Sequence, residues 1–296
     1  MDNKNVKIII NNKKITANAN DTIMEAASKA GINIPSLCYL KDVSNIGCCR
    51  ICVVEVEGRP NLVTSCNNKV SEGMVIHTNS DRVKRARKEM LNLILADHDY
   101  NCSKCKSNHA CELQELAEKY KIKKSTYKQD CLKTPIVENN PFLEYDPSKC
   151  INCKRCVSAC KKISRNGILT TKKLGPHAFI NTPFGEYWKE SICESCGNCS
   201  YVCPTGALSM KNKKKYKPNE VKQVLTTCPH CATGCQLYLQ VKNNKIVAVE
   251  PADGPSNHKR LCVKGRFGSF DFVHSPERLK YPLIKNKKTG KFRRAS

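Results

Sequence analysis

The chain has 296 residues, 21 of them cysteine and 6% aromatic, and its formal net charge is +25. Disulfide scaffolds are short and secreted, whereas this long chain opens with MDNKNVKIII, which has none of the segments of a signal peptide. No run approaches the roughly 18 apolar residues of a membrane-spanning helix. These features predict a cytoplasmic protein whose cysteines ligate metal, with bound metal stabilising thin cores.

The first predicted region, residues 1–80, begins with two strands and a helix. The stretch VKIIINNKKITA predicts a strand, a tight turn at Asn11–Asn12 and a second strand. Asp21 or Thr22 is placed to cap a helix that Gly31 ends. A strand, VVEVEG, follows among the next cysteines. Two strands, a helix and a cysteine-bearing loop resemble a β-grasp 2Fe–2S ferredoxin domain.

The cysteines of this region resemble those of the 2Fe–2S domain that opens complex I large iron–sulfur subunits, iron-only hydrogenases and NAD-linked formate dehydrogenases. Their spacing, C-x10-C-x2-C-x13-C, departs from the plant-type start C-x4-C-x2-C. Those families carry a small residue immediately before the second ligand. Cys48 occupies that place here and is predicted to be a non-ligand. The resemblance implies one 2Fe–2S cluster on Cys38, Cys49, Cys52 and Cys66.

Residues 81–121 are predicted to form a second small domain. Residues 83–97, VKRARKEMLNLILAD, predict an amphipathic helix whose buried side carries Met90, Leu91, Ile94 and Leu95. The following H-x3-C-x2-C-x5-C spacing matches the His-ligated 4Fe–4S cluster of the same families, with His109 as a competing imidazole. A neutral imidazole in place of a thiolate makes such a site about one charge less negative. The implied ligands are His98, Cys102, Cys105 and Cys111.

Residues 122–140 are predicted to be a linker, in which Cys131 is a bystander thiol. Residues 141–215 carry the run C-x2-C-x2-C-x3-C twice, with a 32-residue insertion between the copies that is predicted to be a small hairpin. In such a run three cysteines ligate one 4Fe–4S cube and the fourth crosses to the other cube. Zinc sites, built from separated cysteine pairs, fit this spacing poorly. The predicted ligand sets are Cys150, Cys153, Cys156 and Cys203 for one cluster, and Cys160, Cys193, Cys196 and Cys199 for the other.

Residues 221–280 are predicted to form a small β-rich domain, and residues 281–296 a basic tail. Within the domain, QLYLQVKNNKIVAVEP predicts two strands joined by a turn at Asn243–Asn244. The spacing of its cysteines leaves a zinc site open as an alternative. The segments CPHCATGC and LCVKGRFG closely resemble the N-terminal cluster domain of molybdenum- or tungsten-bispterin oxidoreductases, especially formate dehydrogenases. This resemblance implies a fourth 4Fe–4S cluster on Cys228, Cys231, Cys235 and Cys262. It also implies that Lys264 links this cluster to a pterin through a hydrogen bond.

The whole chain, of class α+β, resembles the iron–sulfur front of a formate dehydrogenase alpha subunit. The family's catalytic domains, which hold the Mo/W-bis-pterin guanine dinucleotide, have no counterpart in this sequence. The resemblance implies a five-cluster module that carries electrons between a pterin site on a partner or missing domain and a flavin/NAD subunit, a hydrogenase subunit or a ferredoxin. The chain supplies no acid, base or nucleophile for catalysis. Whether it is an enzyme without a catalytic partner is therefore left undecided. The alternative is the large iron–sulfur subunit of an NADH dehydrogenase or electron-bifurcating complex.

The positive charge suggests a more remote alternative, a nucleic-acid-binding iron–sulfur protein. The formal charge counts thiols as neutral, so thiolate ligation of clusters would lower it. The excess lies in lysine-rich tracts, residues 211–217 and 285–294, without the interleaved aromatic residues of a single-strand binding face. We therefore expect no nucleic-acid partner. The tracts are expected to be solvated surface or a docking face for an acidic electron carrier or subunit.

Overall fold

The computed structural model describes residues 4–128, 136–137, 140–172, 178–182, 188, 191–211, 216, 218–268 and 270–295. The chain divides into two compact units, an N-terminal unit of Met1–Pro218 and a C-terminal unit of Asn219–Ser296. Cys131 lies outside the described residues, so its bystander role stays a prediction. None of the helices in the described ranges has the length and apolar character needed to cross a membrane.

A mixed five-stranded sheet opens the N-terminal unit, with strand order β2-β1-β5-β3-β4. Its strands are β1 Asn5–Ile10, β2 Lys13–Asn18, β3 Val53–Val56, β4 Val63–Thr64 and β5 Val75–His77. β1 runs antiparallel to β2 and parallel to β5, and β3 runs antiparallel to both of its neighbours. Alternate residues of β1 face the core, as the two-residue period of a strand requires: Val6, Ile8 and Ile10.

The predicted turn and helix of this region are confirmed. Asn11 and Asn12 have φ values of 47° and 69°, the left-handed conformation that a tight hairpin turn needs and asparagine tolerates. Helix α1, Ile23–Lys29, begins with a capping box in which Thr22 and Glu25 satisfy each other's main-chain N–H groups. The buried side of α1 joins the core of the sheet.

Helix α2, Asp81–Ala96, closely matches the predicted helix, and Ser80 caps it by accepting from the Val83 N–H. It buries Leu91 and Leu95, while Met90 and Ile94 pack partly buried against the same core. Helix α3, Glu112–Lys119, follows Cys111 and buries its apolar side in that core as well. The loop with the predicted His98 ligand set therefore lies between two helices that share one core.

The region of the repeated cysteine run contains two short helices and two strand pairs. Helix α4 is Arg155–Lys162 and helix α5 is Asn198–Tyr201. β6, Leu143–Tyr145, pairs with β9, Leu208–Met210, and brings the two ends of the region together. The insertion contains the predicted hairpin in its described part, where β7 pairs antiparallel with β8. These two strands are Thr170–Lys172 and Phe179–Asn181.

The C-terminal unit is built on a three-stranded antiparallel sheet of β10 Lys222–Thr227, β11 Gln236–Lys242 and β12 Lys245–Pro251. Asn243 and Asn244 form the predicted turn with φ values of 49° and 60°. β10 was not predicted, because nearly all of its residues are exposed and carry no apolar alternation. Helix α6 is Val263–Phe267. Within the predicted basic tail, β13 Leu283–Lys285 and β14 Phe292–Arg294 form an antiparallel hairpin.

Short 3-10 helices complete the described secondary structure. They are Cys102–Lys104, Pro147–Lys149, Pro218–Glu220 and Asp271–His274. The first of them carries a predicted ligand at its start, and the second ends one residue before Cys150. Each of these two 3-10 helices therefore fixes the main chain at or next to a predicted ligand, Cys102 or Cys150.

Candidate metal centres

The predicted 2Fe–2S ligands converge beside the five-stranded sheet, and each is at most 8% exposed. A hydrogen bond with Cys66 lowers the pKa of Cys52, although burial opposes the shift. The Leu37 N–H points at the Sγ of Cys49 at 3.4 Å. Cys38 forms a hydrogen bond with Cys49, so the four thiols constitute one buried group.

Cys48 lies next to this group and makes different contacts. Its side chain is exposed, and its Sγ lies 3.8 Å and 3.7 Å from the main-chain oxygens of Asn152 and Cys153. It also forms a hydrogen bond with Cys38, which lowers the pKa of Cys48. The burial of Cys49, together with the N–H directed at its sulfur, favours Cys49 as the ligand, and the non-ligand role of Cys48 stays a prediction.

The predicted His98 set lines one small cavity between α2 and α3. Its walls include His98, Cys102, Cys105 and Cys111. Burial lowers the pKa of His98 to about 4, which keeps the imidazole neutral, the form that binds metal. Burial also raises the pKa of Cys111 to about 11. His109, the competing imidazole, is not among the cavity walls and has a left-handed φ of 64°.

Gly206 forms part of the same cavity wall, where the main chain closely approaches the thiols. A Cβ atom at this position would lie 2.4 Å from the Sγ of Cys105. The Sγ of Cys111 lies 3.5 Å from the oxygen of Pro204, the residue after Cys203. The His98 set and the set containing Cys203 are therefore neighbours.

The first predicted set of the repeat also lines a single cavity. Its members there are Cys150, Cys153, Cys156 and Cys203. Burial raises the pKa of Cys156 well above its ordinary value, and the thiols of the same set add to this effect. Tyr145, which also lines the cavity, forms a hydrogen bond with Cys150.

The second predicted set of the repeat is brought together in the same way. Burial raises the pKa of Cys199, and its three predicted partners, Cys196, Cys193 and Cys160, raise it further. The Nδ2 of Asn198 donates to the Sγ of Cys196 at 3.4 Å, and the Oγ of Ser164 lies 3.1 Å from the same sulfur. The thiol of Cys199 also contributes to the raised pKa of Cys156, which means that the two sets are neighbours.

The internal repeat extends from the cysteine spacing to the backbone conformation. Asn152 and Lys154 in the first copy have φ values of 51° and 58°, and Ser195 and Gly197 at the equivalent places have 52° and 73°. In each copy the second of these residues is the N-cap of the short helix that follows. The same left-handed turns therefore direct the cysteines of both copies inward.

The predicted set of the C-terminal unit surrounds the start of α6 and the β10–β11 connection. Cys228 is buried, whereas Cys231 and Cys262 are exposed. Burial raises the pKa of Cys235, and the thiols of Cys228, Cys231 and Cys262 add to that effect. A main-chain hydrogen bond of 2.8 Å between Cys228 and Cys235 closes the loop between them.

Lys264 lies on α6, two residues after Cys262, and its side chain is exposed. Hydrogen bonds with Thr233, and more weakly the charge of Lys264, lower the pKa of Cys231. The charge of Lys264 therefore acts on the predicted ligand Cys231. Its contact with a pterin stays a prediction.

The chemistry of these donor sets fits iron–sulfur clusters. Each set offers four thiols, or three thiols and a neutral imidazole, which are the ligands that hold such clusters. Main-chain N–H groups of Ser107 and Ser195 point at the sulfurs of Cys105 and Cys193, each at 3.4 Å. Such N–H groups favour thiolate over thiol. Within the described residues, Cys, His, Asp and Glu side chains do not meet in groups of three at the distances of a single metal ion.

Sequence reasoning missed the polar side chains that support the thiols. The Nδ2 of Asn140, in the predicted linker, lies 3.9 Å from the Sγ of Cys193 and donates to the Oγ of Ser195 at 3.0 Å. Arg155 and Glu112 form a salt bridge of 2.6 Å. The only sequence signal that Arg155 and Glu112 support the thiols is that they lie directly beside Cys156 and Cys111. Spacing alone does not reveal which distant residue each would reach.

Four domain models match the chain. They are a 2Fe-2S iron-sulfur cluster binding domain over residues 3–81, the NADH-ubiquinone oxidoreductase-G iron-sulfur binding region over 87–126, the NADH-quinone oxidoreductase subunit 3 ferredoxin-like domain over 140–209, and the molybdopterin oxidoreductase Fe4S4 domain over 221–274. The chain thus contains 2Fe–2S and 4Fe–4S cluster binding domains in an α+β arrangement.

Several known proteins that are similar to the chain in sequence or structure are redox proteins. NADPH-Fe(3+) oxidoreductase subunit alpha of Geobacter sulfurreducens is 35% identical over 96% of this chain and 33% of its own length. A formate dehydrogenase-like protein of Staphylococcus haemolyticus is 28% identical over 92% of this chain and 31% of its own. The crystal structure of an NAD+-reducing [NiFe]-hydrogenase matches with a TM-score of 0.67 and 27% identity, over 72% of this chain and 90% of that one.

The chain therefore spans about a third of the length of the curated relatives it matches. Its four domain matches occur in the order in which the sequence predicted them. Together, these matches make the chain similar to the iron–sulfur regions of NADH-quinone oxidoreductase G and of molybdopterin oxidoreductases.

Proposed function

We propose that this chain is a five-cluster electron-transfer module of an NAD(P)-linked oxidoreductase complex. The observation that carries the proposal is that, in the N-terminal unit, residues at or next to one predicted ligand set contact residues at or next to another. Cys48, beside the 2Fe–2S set, contacts the main chain at Cys153, and Cys111 of the His98 set contacts the main chain at Pro204. Transfer of single electrons needs redox centres that are close together, and these contacts meet that need.

The ligand assignments proposed are those given by spacing and resemblance. When bound, the clusters would supply one-electron redox chemistry, which is a property of the cofactor. The chain's residues hold each cluster, limit its access to water and tune it through hydrogen bonds to sulfur. The set of Cys150, Cys153, Cys156 and Cys203 lies beside both the 2Fe–2S set and the His98 set. We therefore place it between them on the electron path.

Metal analysis of the anaerobically purified chain tests this proposal. One 2Fe–2S and four 4Fe–4S clusters predict about 18 iron atoms and an equal amount of acid-labile sulfide. Iron near 8 atoms per chain, or zinc in stoichiometric amount, would contradict the five-cluster assignment.

A matched pair of histidine variants tests the assignment of the imidazole ligand. His98→Ala is expected to remove about four iron atoms, because three thiols remain. His109→Ala is expected to keep them, since His109 lies outside the cavity walls. The reverse outcome would move the imidazole ligand to His109.

A formate dehydrogenase role is a second proposal within the same chemistry. The segment CPHCATGC, the segment CVKGRFG and the position of Lys264 near Cys231 support it. Weighing against it, the Geobacter NADPH-linked relative is more similar in sequence than the formate dehydrogenase-like one. Co-purification separates the two roles. A molybdopterin-bearing polypeptide or domain supports the formate role, and flavin and NAD(P) subunits alone support the first proposal.

A further inference from the structure

Arg155 is a buried cation among predicted cluster ligands. It directly precedes Cys156 on α4 and is only 6% exposed. Its Nη1 and Nη2 donate to the two carboxylate oxygens of Glu112 at 2.6 Å and 3.0 Å. Glu112 directly follows Cys111 of the His98 set. This bidentate ion pair therefore links α4, which carries Cys156, to the residue after Cys111.

Packing also brings Arg155 towards the 2Fe–2S set, because Cys153, two residues before Arg155, lies in the same buried core as Cys38 and Cys49. Burial opposes its charged form, but Glu112 and, more weakly, charges at Cys153 and Cys38 keep the pKa of Arg155 raised. Arg155 in turn opposes the large burial-driven rise in the pKa of Cys153. One buried positive charge thus lies near ligands of three predicted clusters.

The third observation is a donor without a protein acceptor. The Nε of Arg155 is buried, and no acceptor among the described protein atoms reaches it. Buried donors in folded proteins nearly always have a partner. The predicted ligands Cys153 and Cys156 lie two residues before and one residue after Arg155, so a thiolate or cluster sulfur would supply an acceptor for this N–H.

We propose that Arg155 is a positioning residue shared by three cluster sites, and that its buried charge raises the reduction potentials of the clusters on the Cys38 and Cys150 sets. This inference rests on the proposed function, because it requires the clusters. Reduction adds one negative charge to a cluster, so a fixed positive charge nearby stabilises the reduced form. The negative charge of Glu112 offsets part of this effect. Because Arg155 is buried, salt screens its charge less than it would screen an exposed charge.

Opposite charge changes at the ion pair provide the test. Wild-type and variant full-length chains, matched in iron content, are titrated with a one-electron chemical reductant. The potential of the 2Fe–2S cluster is followed by EPR at temperatures where cube signals have broadened away. Arg155→Gln is expected to lower this potential, and Glu112→Gln to raise it, because the second change leaves the cation uncompensated. Arg155→Lys is expected to stay near the wild-type value, and the double Gln variant to fall between the two single variants.

Arg165→Gln is the matched control, since it removes the same charge from an exposed position in the same region. It is expected to leave the potential unchanged. Shifts of the same sign in Arg155→Gln and Glu112→Gln would show a structural effect and overturn the proposal, as would an unchanged potential in both. If Arg155→Gln fails to load clusters, Arg155→Lys and Glu112→Gln still decide the question. Absence of clusters from the wild-type chain would instead defeat the proposed function.

Discussion

The predicted 2Fe–2S set and the predicted C-terminal 4Fe–4S set use the same ligand atoms in opposite surroundings. Every cysteine of the first is at most 8% exposed, under a five-stranded sheet and beside the cores of α1 and α2. The second set has Cys231 and Cys262 at the surface of a unit in which five buried residues form the hydrophobic cluster of the described part. Spacing in the sequence gives no hint of this difference.

The difference teaches that ligand type alone does not fix the behaviour of a cluster. Burial removes water, which strengthens electrostatic interactions and limits the access of reagents. The N-terminal cysteines also contribute to the hydrophobic cores of their unit, so their loss affects folding as well as metal binding. In the C-terminal unit two ligands contribute little to packing.

The largest expected effect is that of removing a buried ligand. Cys49→Ser is expected to lose about two iron atoms. It is also expected to lower the thermal midpoint by several degrees, because about 1 kcal/mol shifts the midpoint of a small domain by roughly 4–8 °C. Cys262→Ser is expected to lose about four iron atoms with little change in that midpoint. Iron analysis and thermal unfolding followed by circular dichroism measure both effects.

The neighbouring thiol supplies the control for that experiment. Cys48→Ser is expected to retain all the iron, since Cys48 faces the main chain at Cys153. Loss of two iron atoms in this variant, with retention in Cys49→Ser, would exchange the two assignments.

The access of an iron chelator to the buried and the exposed ligand sets provides the next test of the difference between them. In anaerobic buffer with a strong iron chelator, the first phase of iron release is expected to contain about four atoms, from the exposed C-terminal set. Timed iron release measures this phase, and Cys262→Ser should lack it. A first phase that persists in Cys262→Ser would mean that exposure does not determine lability here.

Two glycines next to cysteine sulfurs give the smallest expected effect and a matched pair. Gly206→Ala places a methyl 2.4 Å from the Sγ of Cys105, and such overpacking costs about 1–3 kcal/mol. Gly265→Ala, within α6, meets Leu261 at 3.3 Å and Cys228 at 3.7 Å, and alanine favours a helix by up to about 1 kcal/mol. Urea unfolding is expected to detect the first loss and little change for the second. Equal losses of stability in the two variants would contradict the distinction between the tightly packed site at Gly206 and the less crowded site at Gly265.

Local sequence determined the elements that depend on a few neighbouring residues. The two Asn–Asn turns adopt the expected left-handed conformation because asparagine tolerates positive φ. Thr22 and Glu25 specify the start of α1 through the capping box. The cysteine spacing also predicted which thiols of the repeat lie near one another: each run supplies three thiols to one group, while Cys160 and Cys203 each join the group of the other run.

Tertiary structure alone decided which ligand sets are neighbours and how deeply each is buried. The contacts of Cys48 with the main chain at Cys153 and of Arg155 with Glu112 join residues 105 and 43 positions apart. Such contacts depend on the packing of whole elements, which no local pattern encodes. Exposure of Cys231 and Cys262 likewise follows from the small core of the C-terminal unit. Spacing therefore selects the ligands, and long-range packing sets their surroundings, because burial and charge act through space.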